Sequence, residues 1–238
     1  MLRHLHLLLL TSSLLYLSNS QRNQTITIGP VIGATTNTTT RILVEFNYTG
    51  SITCILNSTT GGTHNDTKNF TAGDPVVFKF QNLAPGTYYN VSFDPPIPDQ
   101  VPSYFKTVNR TVKGDLKFGV VSCNEYSVLV SKQPQADLWA DLSKKIDDLQ
   151  LDYLIHIGDQ VYLDMGFAEN KGIFNVGVNN SKPYPVIMNI LANTPREQWA
   201  NKTPELLEII KDEYRRAWSF PSVKAVLAKI PSQIGRAS

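Results

Sequence analysis

From residue 24 to about 112, short runs of β-branched and aromatic residues alternate with polar, turn-rich stretches, a pattern that predicts an all-β sandwich. The runs are Thr25 to Ile28, Arg41 to Phe46, Ser51 to Leu56, Val76 to Phe80, Tyr88 to Phe93 and Tyr104 to Val108. Gly61-Gly62 and Pro95-Pro96-Ile97-Pro98 read as loops between them. After Gly114-Asp115 the texture changes. Leu116 to Val121 is a compact apolar run, and a helix bounded by Pro134 follows. Its Leu138, Leu142, Ile146 and Leu149, with Trp139 beside them, predict one face packed on a sheet. Tyr153 to Ile157 is apolar except for His156, which predicts a strand buried on both faces. Strand, helix and strand in this order make a βαβ unit with parallel strands. Residues 163 to 184, rich in Gly and Asn, read as a loop, and Pro185 to Ala192 as a short helix. Thr203-Pro204-Glu205 opens a longer helix with Leu206, Leu207, Ile210 and Tyr214 inward. Ser222 to Lys229 is again helical, and Pro231 should stop it.

These patterns divide the chain into residues 1–20, a β-sandwich over 21–113 and an α/β segment over 114–238. The opening segment sets the compartment. Arg3 and His4 precede an apolar stretch from Leu5 to Leu17, and Ser18-Asn19-Ser20 supplies small residues before a cleavage point at Gln21, which is the layout of a signal peptide. A membrane anchor needs roughly 20 apolar residues, and this run is shorter and broken by Thr11, Ser12 and Ser13. No later stretch has the length and apolarity to span a bilayer. The expected location is extracellular or the endolysosomal lumen, reached by the secretory pathway.

Composition supports that route. N-glycosylation sequons stand at Asn23, Asn37, Asn47, Asn57, Asn65, Asn69, Asn90, Asn109, Asn179 and Asn201, as on exposed segments of exported chains. Net charge is only +2 and arises from interspersed Lys and Arg, so there is no electrostatic footprint for nucleic acid. Two cysteines, Cys54 and Cys123, are too few for a disulfide scaffold and fall in different predicted domains, which argues against a bridge between them.

In an α/β sheet, ligands bind beyond the carboxyl ends of the strands. Ser122-Cys123-Asn124 follows the first strand of the unit and Gly158-Asp159-Gln160-Val161-Tyr162 the second, so parallel pairing would bring the two loops together. Gly158 permits a tight turn, Asp159 projects from the strand tip, and Tyr162 lies one turn further on. A carboxylate can bridge two cations. A phenolate, whose parent phenol has a pKa of about 10, is a poor ligand except for a strong Lewis acid, which favours ferric iron; a thiolate suits the same ion. The residues therefore predict a metal held by Cys123, Asp159 and Tyr162, with Asp159 shared by a second, harder ion. His156, out of phase with Asp159, reads as a packed strand histidine. Asn124 fits equally a turn role or contact with substrate or second metal.

Phe118-Gly119-Val120-Val121-Ser122-Cys123, the helix with Asp137, Leu138 and Trp139, and Ile155-His156-Ile157-Gly158-Asp159-Gln160-Val161-Tyr162 resemble the opening motifs of PhoD-like (alkaline phosphatase D) metallophosphatases, with a β-sandwich in its expected place before them. Leu83-x-Pro85-x-Thr87-x-Tyr89 similarly resembles the tyrosine corner of fibronectin type III domains, in which a phenol bonds back to the turn. The PhoD-like resemblance implies a calcineurin-like α/β sandwich, Fe(III) with Ca²⁺ beside it, and hydrolysis of phosphate monoesters or diesters. Cys123, Asp159 and Tyr162 match family metal ligands. The family's next motif, of the type Trp-Asp-Asp-His-Glu, should follow Lys229-Ile230-Pro231-Ser232. Here Gln233-Ile234-Gly235-Arg236-Ala237-Ser238 stands instead, and the histidines are His4, His6, His64 and His156 alone. A truncated, inactive form is therefore expected, with the sheet cut after two strands and the last residues foreign to the family. Two other readings remain. One is a non-catalytic glycosylated extracellular binding module, which would hold no metal. The other is a purple acid phosphatase-like enzyme, which shares Gly-Asp-x-x-Tyr but would carry Asp where Ser122-Cys123 stands.

Overall fold

A computed structural model of the chain describes residues 24–98, 100–109, 116–124, 137–163 and 183–234. The expected signal peptide, Asn23, Asn179, the junction at 113–114 and most of the predicted 163–184 loop lie outside them. Seven strands form two packed sheets. β1 (Ile26–Ile32), β2 (Thr40–Phe46) and β5 (Val76–Phe80) pair in the order β1-β2-β5; β3 (Gly50–Ser58), β4 (Thr63–Phe70), β6 (Tyr88–Asp94) and β7 (Tyr104–Lys106) pair as β4-β3-β6-β7. Alternate positions of both sheets turn inward, because strand side chains repeat every second residue. Ile42, Val44 and Phe46 from one sheet meet Cys54, Leu56 and Phe93 from the other, all essentially buried.

Strand β4 was not predicted. Its sequence, Thr-His-Asn-Asp-Thr-Lys-Asn-Phe, lacks the apolar alternation of a half-buried strand, yet it pairs with β3 along its whole length. As the outermost strand it buries only Phe70 fully, so its cohesion comes from the backbone ladder and from links such as Thr53 to Thr67, hydroxyl to hydroxyl at 2.8 Å. The tyrosine corner is present: the Tyr89 phenol oxygen accepts the Ala84 N–H at 2.8 Å, while the ring stacks on Phe105. Tyr89→Phe keeps the packing and strands that N–H, so a loss of about 1 kcal/mol in denaturant unfolding is expected.

The second unit is a parallel sheet with helices on one face. β8 (Phe118–Val121), β9 (Tyr153–His156) and β10 (Ser232–Ile234) lie in the order β10-β9-β8. Helix α1 (Leu138–Leu149) links β8 to β9, and α2 (Pro183–Ala192), a 3₁₀ segment (Arg196–Lys202), α3 (Thr203–Trp218) and α4 (Pro221–Leu227) precede β10. The Asp137 carboxylate caps α1 by accepting the Ala140 N–H at 3.0 Å, and Gln150 ends it in a left-handed conformation. The third strand corrects the expectation of a sheet cut after two: Gln233 and Ile234, expected to be foreign, pair in register with Ile155 and His156.

Two burial expectations are also corrected. Helix α1 faces the sheet through Trp139, Leu142 and Ile146, whereas Leu138 is 74% exposed and Leu149 51%. The 139, 142, 146 spacing is equally helical, and the covering helix α4 selects it through Val226. On α3, Leu207 is exposed, while Ala217 and Trp218 are buried. Strand β9 is fully buried on one face only, Tyr153 and Ile155 on the other being half-buried. Leu154 and His156 are buried under α1, whereas the opposite face of the pair leaves Phe118 and Val120 more than half exposed.

The two units share a packed boundary. Ile28 and Val31 of β1 join Ala217, Trp218, Val223 and Leu227 in one cluster. Around it run Arg215 to Glu45 (2.6 Å), Ser103 to the Ala228 carbonyl (2.7 Å), Tyr153 to the Thr35 carbonyl (2.6 Å) and Lys224 to the Ile26 carbonyl (3.0 Å). No helix among the described residues is long and apolar enough to cross a membrane.

Candidate metal centre

Parallel pairing puts Val121 level with His156, so both chains leave the sheet at the same edge. A last ladder bond, Ile157 N–H to the Val121 carbonyl at 3.0 Å, is followed by Asn124 N–H to the Asp159 carbonyl at 2.8 Å, which ties the two loops to each other. There the three predicted residues converge. The Cys123 thiol lies 3.5 Å from Asp159 Oδ2, and the Tyr162 hydroxyl donates to the same oxygen at 3.1 Å. Cys123 and Asp159 are exposed.

The backbone is unusual at both tips. Cys123 has φ 57° and Asp159 φ 51°, the left-handed region that residues with a Cβ rarely occupy, and Gly158 before it has φ 143°. Such conformations cost on the order of 1–3 kcal/mol each and collect where surrounding structure holds a functional side chain in place. Gly158 supplies the turn that a Cβ would strain. The two left-handed residues then direct thiol and carboxylate to one point.

The surrounding structure that holds them was only partly foreseen. Asn124, buried, accepts from Trp139 Nε1 at 2.9 Å and donates through Nδ2 to the Gln160 carbonyl at 3.1 Å, so it serves the loop scaffold. Gln160 in turn meets His156 Nδ1 at 2.8 Å and donates to the Gly158 carbonyl at 3.0 Å. His156, predicted as a packed histidine, is 3% exposed and lies face to face with Trp139. Trp139 and Gln160 escaped sequence reasoning as positioning residues. Their only signal was proximity to the two loop motifs.

Burial lowers the pKa of His156, and the hydrogen bond that its Nδ1 makes to Gln160 Oε1 offsets this only in part. Its Nε2 is buried without a hydrogen-bond partner in the structure, so a proton there would be unsolvated. A base with a lowered folded value takes up its proton more readily in the unfolded chain, so stability rises with pH across the interval and falls on acidification. The denaturation midpoint should therefore drop as pH falls below about 6.5, with a shallower drop in His156→Gln. Equal slopes in the two proteins would show that His156 does not carry the effect.

The Tyr162 phenol is held well above its ordinary value, first by its hydrogen bond with Cys123, then by desolvation and by the bond to and charge of Asp159. The phenolic proton thus sits among a sulfur and a carboxylate oxygen, where a cation could replace it. Sulfur, carboxylate and phenol oxygen converging on one point fit a ferric ion. No group of three or more His, Cys, Asp and Glu side chains suited to a metal occurs among the described residues, so the candidate centre depends on the tyrosine and supplies few donors. Neither cysteine is in a disulfide; Cys54 is buried in the sandwich, where desolvation raises its thiol pKa, and Cys123 is exposed. A cleft of about 420 Å³ lined by Tyr104, Lys117, Asp147, Asp152 and Lys229 lies at the opposite end of the parallel strands and belongs to another surface.

No family model matches the chain, and no curated protein matches it. Among solved structures it is similar to PhoD, with a TM-score of 0.58 at 14% identity over 88% of this chain. That likeness shows a PhoD-like fold, a β-sandwich joined to a parallel α/β unit. The chain spans only 38% of the length of PhoD. The sensor domain of the anti-sigma factor RsgI4 from Pseudobacteroides cellulosolvens matches 37% of this chain and 96% of its own at 15% identity, but its TM-score of 0.30 carries no argument.

Proposed function

We propose that the chain carries part of an exported, metal-dependent phosphoesterase of the alkaline phosphatase D kind, acting on phosphate monoesters or diesters. The observation that carries this reading is the convergence of Cys123, Asp159 and Tyr162 at the carboxyl edge of two parallel strands, on a backbone left-handed at two of the three positions. The fold shared with PhoD supports it. The sandwich, read over 21–113 as fibronectin type III-like from its tyrosine corner, buttresses the α/β segment of 114–238.

In this reading Cys123, Asp159 and Tyr162 would hold a ferric ion, and the Asp159 carboxylate would be shared with Ca²⁺. Such a pair, when bound, activates an oxygen nucleophile and neutralises charge on the phosphoryl group. The contribution of the chain itself is positional: the Asn124, Trp139 and Gln160 bonds hold both loops at a fixed separation before any ligand arrives. No imidazole reaches the centre from the described part of the chain, because His156 turns beneath the sheet and His64 lies on β4 of the sandwich. Hydrolysis of a chromogenic phosphate ester by the 238-residue chain is accordingly expected at background.

Ferric titration tests the reading. A visible tyrosinate charge-transfer band should appear in the wild type and vanish in Tyr162→Phe. Cys123→Ser and Asp159→Asn should weaken iron by about tenfold or more, since losing even an outer-shell partner of a metal ligand costs that much. Absence of the band, or its survival in Tyr162→Phe, would leave a glycosylated binding module as the better description.

A further inference from the structure

We infer that the outer face of the β4-β3-β6-β7 sheet is a glycan-covered surface, built from Asn57, Asn65, Asn69 and Asn90, and that its carbohydrate guards the open edge at β4. The inference rests on the proposed export route and concerns a surface separate from the metal centre. The sequons are scattered in the sequence, but pairing gathers these four. Asn57 stands directly opposite Asn90, Asn65 opposite Ile55, and Asn69 opposite Ser51. All four are exposed, while their neighbours Leu56, Phe70, Val91 and Tyr89 are buried on the core side.

Strand periodicity explains why a sequon is usable there. Residues i and i+2 share a face, so Asn65 with Thr67, and Asn90 with Ser92, present amide and hydroxyl on the same side. The Thr63 hydroxyl donates to Asn57 Oδ1 at 3.1 Å, an arrangement that uses the oxygen and leaves Nδ2, the atom that carries a glycan, outside that bond. The other described sequons differ. Asn37 is half-buried, Asn109 packs so closely on Gly86 that a Cβ there would meet its Nδ2 at 2.9 Å, and Asn47 and Asn201, both exposed, lie outside the strands of this sheet.

The edge supplies the second observation. β4 is the outermost strand of its sheet and eight residues long, the kind of edge that soluble proteins protect with charge, proline, a bulge or a cover. On its inner side Asp66 and Lys68 pair at 3.1 Å and Asp66 accepts the Lys79 N–H of β5, so charge and β5 guard that side and leave the outer side to be covered. The outward positions, Thr63, Asn65, Thr67 and Asn69, carry no charge. Bulky hydrated glycans on Asn65 and Asn69 would keep another strand from pairing along this edge.

Full-length chain secreted from cultured eukaryotic cells is the material for the test. Enzymatic glycan release in heavy-oxygen water, followed by peptide mass spectrometry, should mark Asn57, Asn65, Asn69 and Asn90. Marking of other sequons with fewer than three of these four overturns the glycan face while leaving export intact; no glycan anywhere overturns both. The paired variant Asn65→Gln/Asn69→Gln should shift from monomer to dimer or larger species by light scattering, whereas Asn201→Gln should elute as the wild type does. A paired variant that stays monomeric at the same concentration overturns the guarding role.

Discussion

Arg215→Met should lower the unfolding free energy by about 3–5 kcal/mol, among the largest single-residue losses expected in this chain. Glu45 on β2 is 1% exposed, and the Arg215 guanidinium reaches it from α3 at 2.6 Å while also donating to the Gly73 carbonyl at 2.8 Å. Burial works against the charge on Arg215, but the bonds and charges of Glu45 and Asp212 outweigh it and hold its pKa above the ordinary value. Removing the cation leaves a carboxylate enclosed between two units with no counter-charge, which is why breaking one half of a buried pair costs far more than the pair contributes. Glu45→Gln keeps an acceptor for the same N–H, and Arg215 at 19% side-chain exposure can be partly solvated, so a smaller loss of about 1–2 kcal/mol is expected. Denaturant midpoints with unchanged slopes are the measurement. An Arg215→Met protein within about 1 kcal/mol of the wild type would show that the boundary does not depend on this bridge.

Trp139→Ala should cost about 3–5 kcal/mol and weaken iron binding at the same time. The indole packs in both clusters that join α1 to its surroundings, stacks on His156, and donates to Asn124, which spans the two metal loops. Trp139→Phe separates the two roles. It retains most of the packing but leaves the Asn124 oxygen unsatisfied, at about 1–3 kcal/mol, and iron affinity should fall with little further loss of fold. If Trp139→Phe binds iron as the wild type does, the indole N–H does not position the loops.

Local signals in the sequence were legible where side chain and element agreed. The apolar strands, the tyrosine corner and the βαβ order could be read directly, and so could the meeting of Cys123, Asp159 and Tyr162, because parallel pairing dictates which loops are neighbours. Strand β4 could not be read, since its pairing is a backbone property and its Asn and Thr residues look like loop. The buried face of α1 was misread by one residue at each end because two helical stripes overlap, and only the arrival of α4 chooses between them. Strand β10 was likewise invisible: three residues carry no periodicity, and the open side of β9 makes them a strand.

What the sequence determined by itself was the alternation that builds a sandwich, the turn to parallel α/β texture, and the identity of three donors at two strand ends. The tertiary structure decided how these are held: the Glu45 to Arg215 bridge across 170 positions, the Trp139 and Asn124 link beneath the loops, and the gathering of four sequons on one sheet face. Local propensity acts over a few residues, whereas each of those contacts joins distant segments, and only the packed chain sets which of them meet.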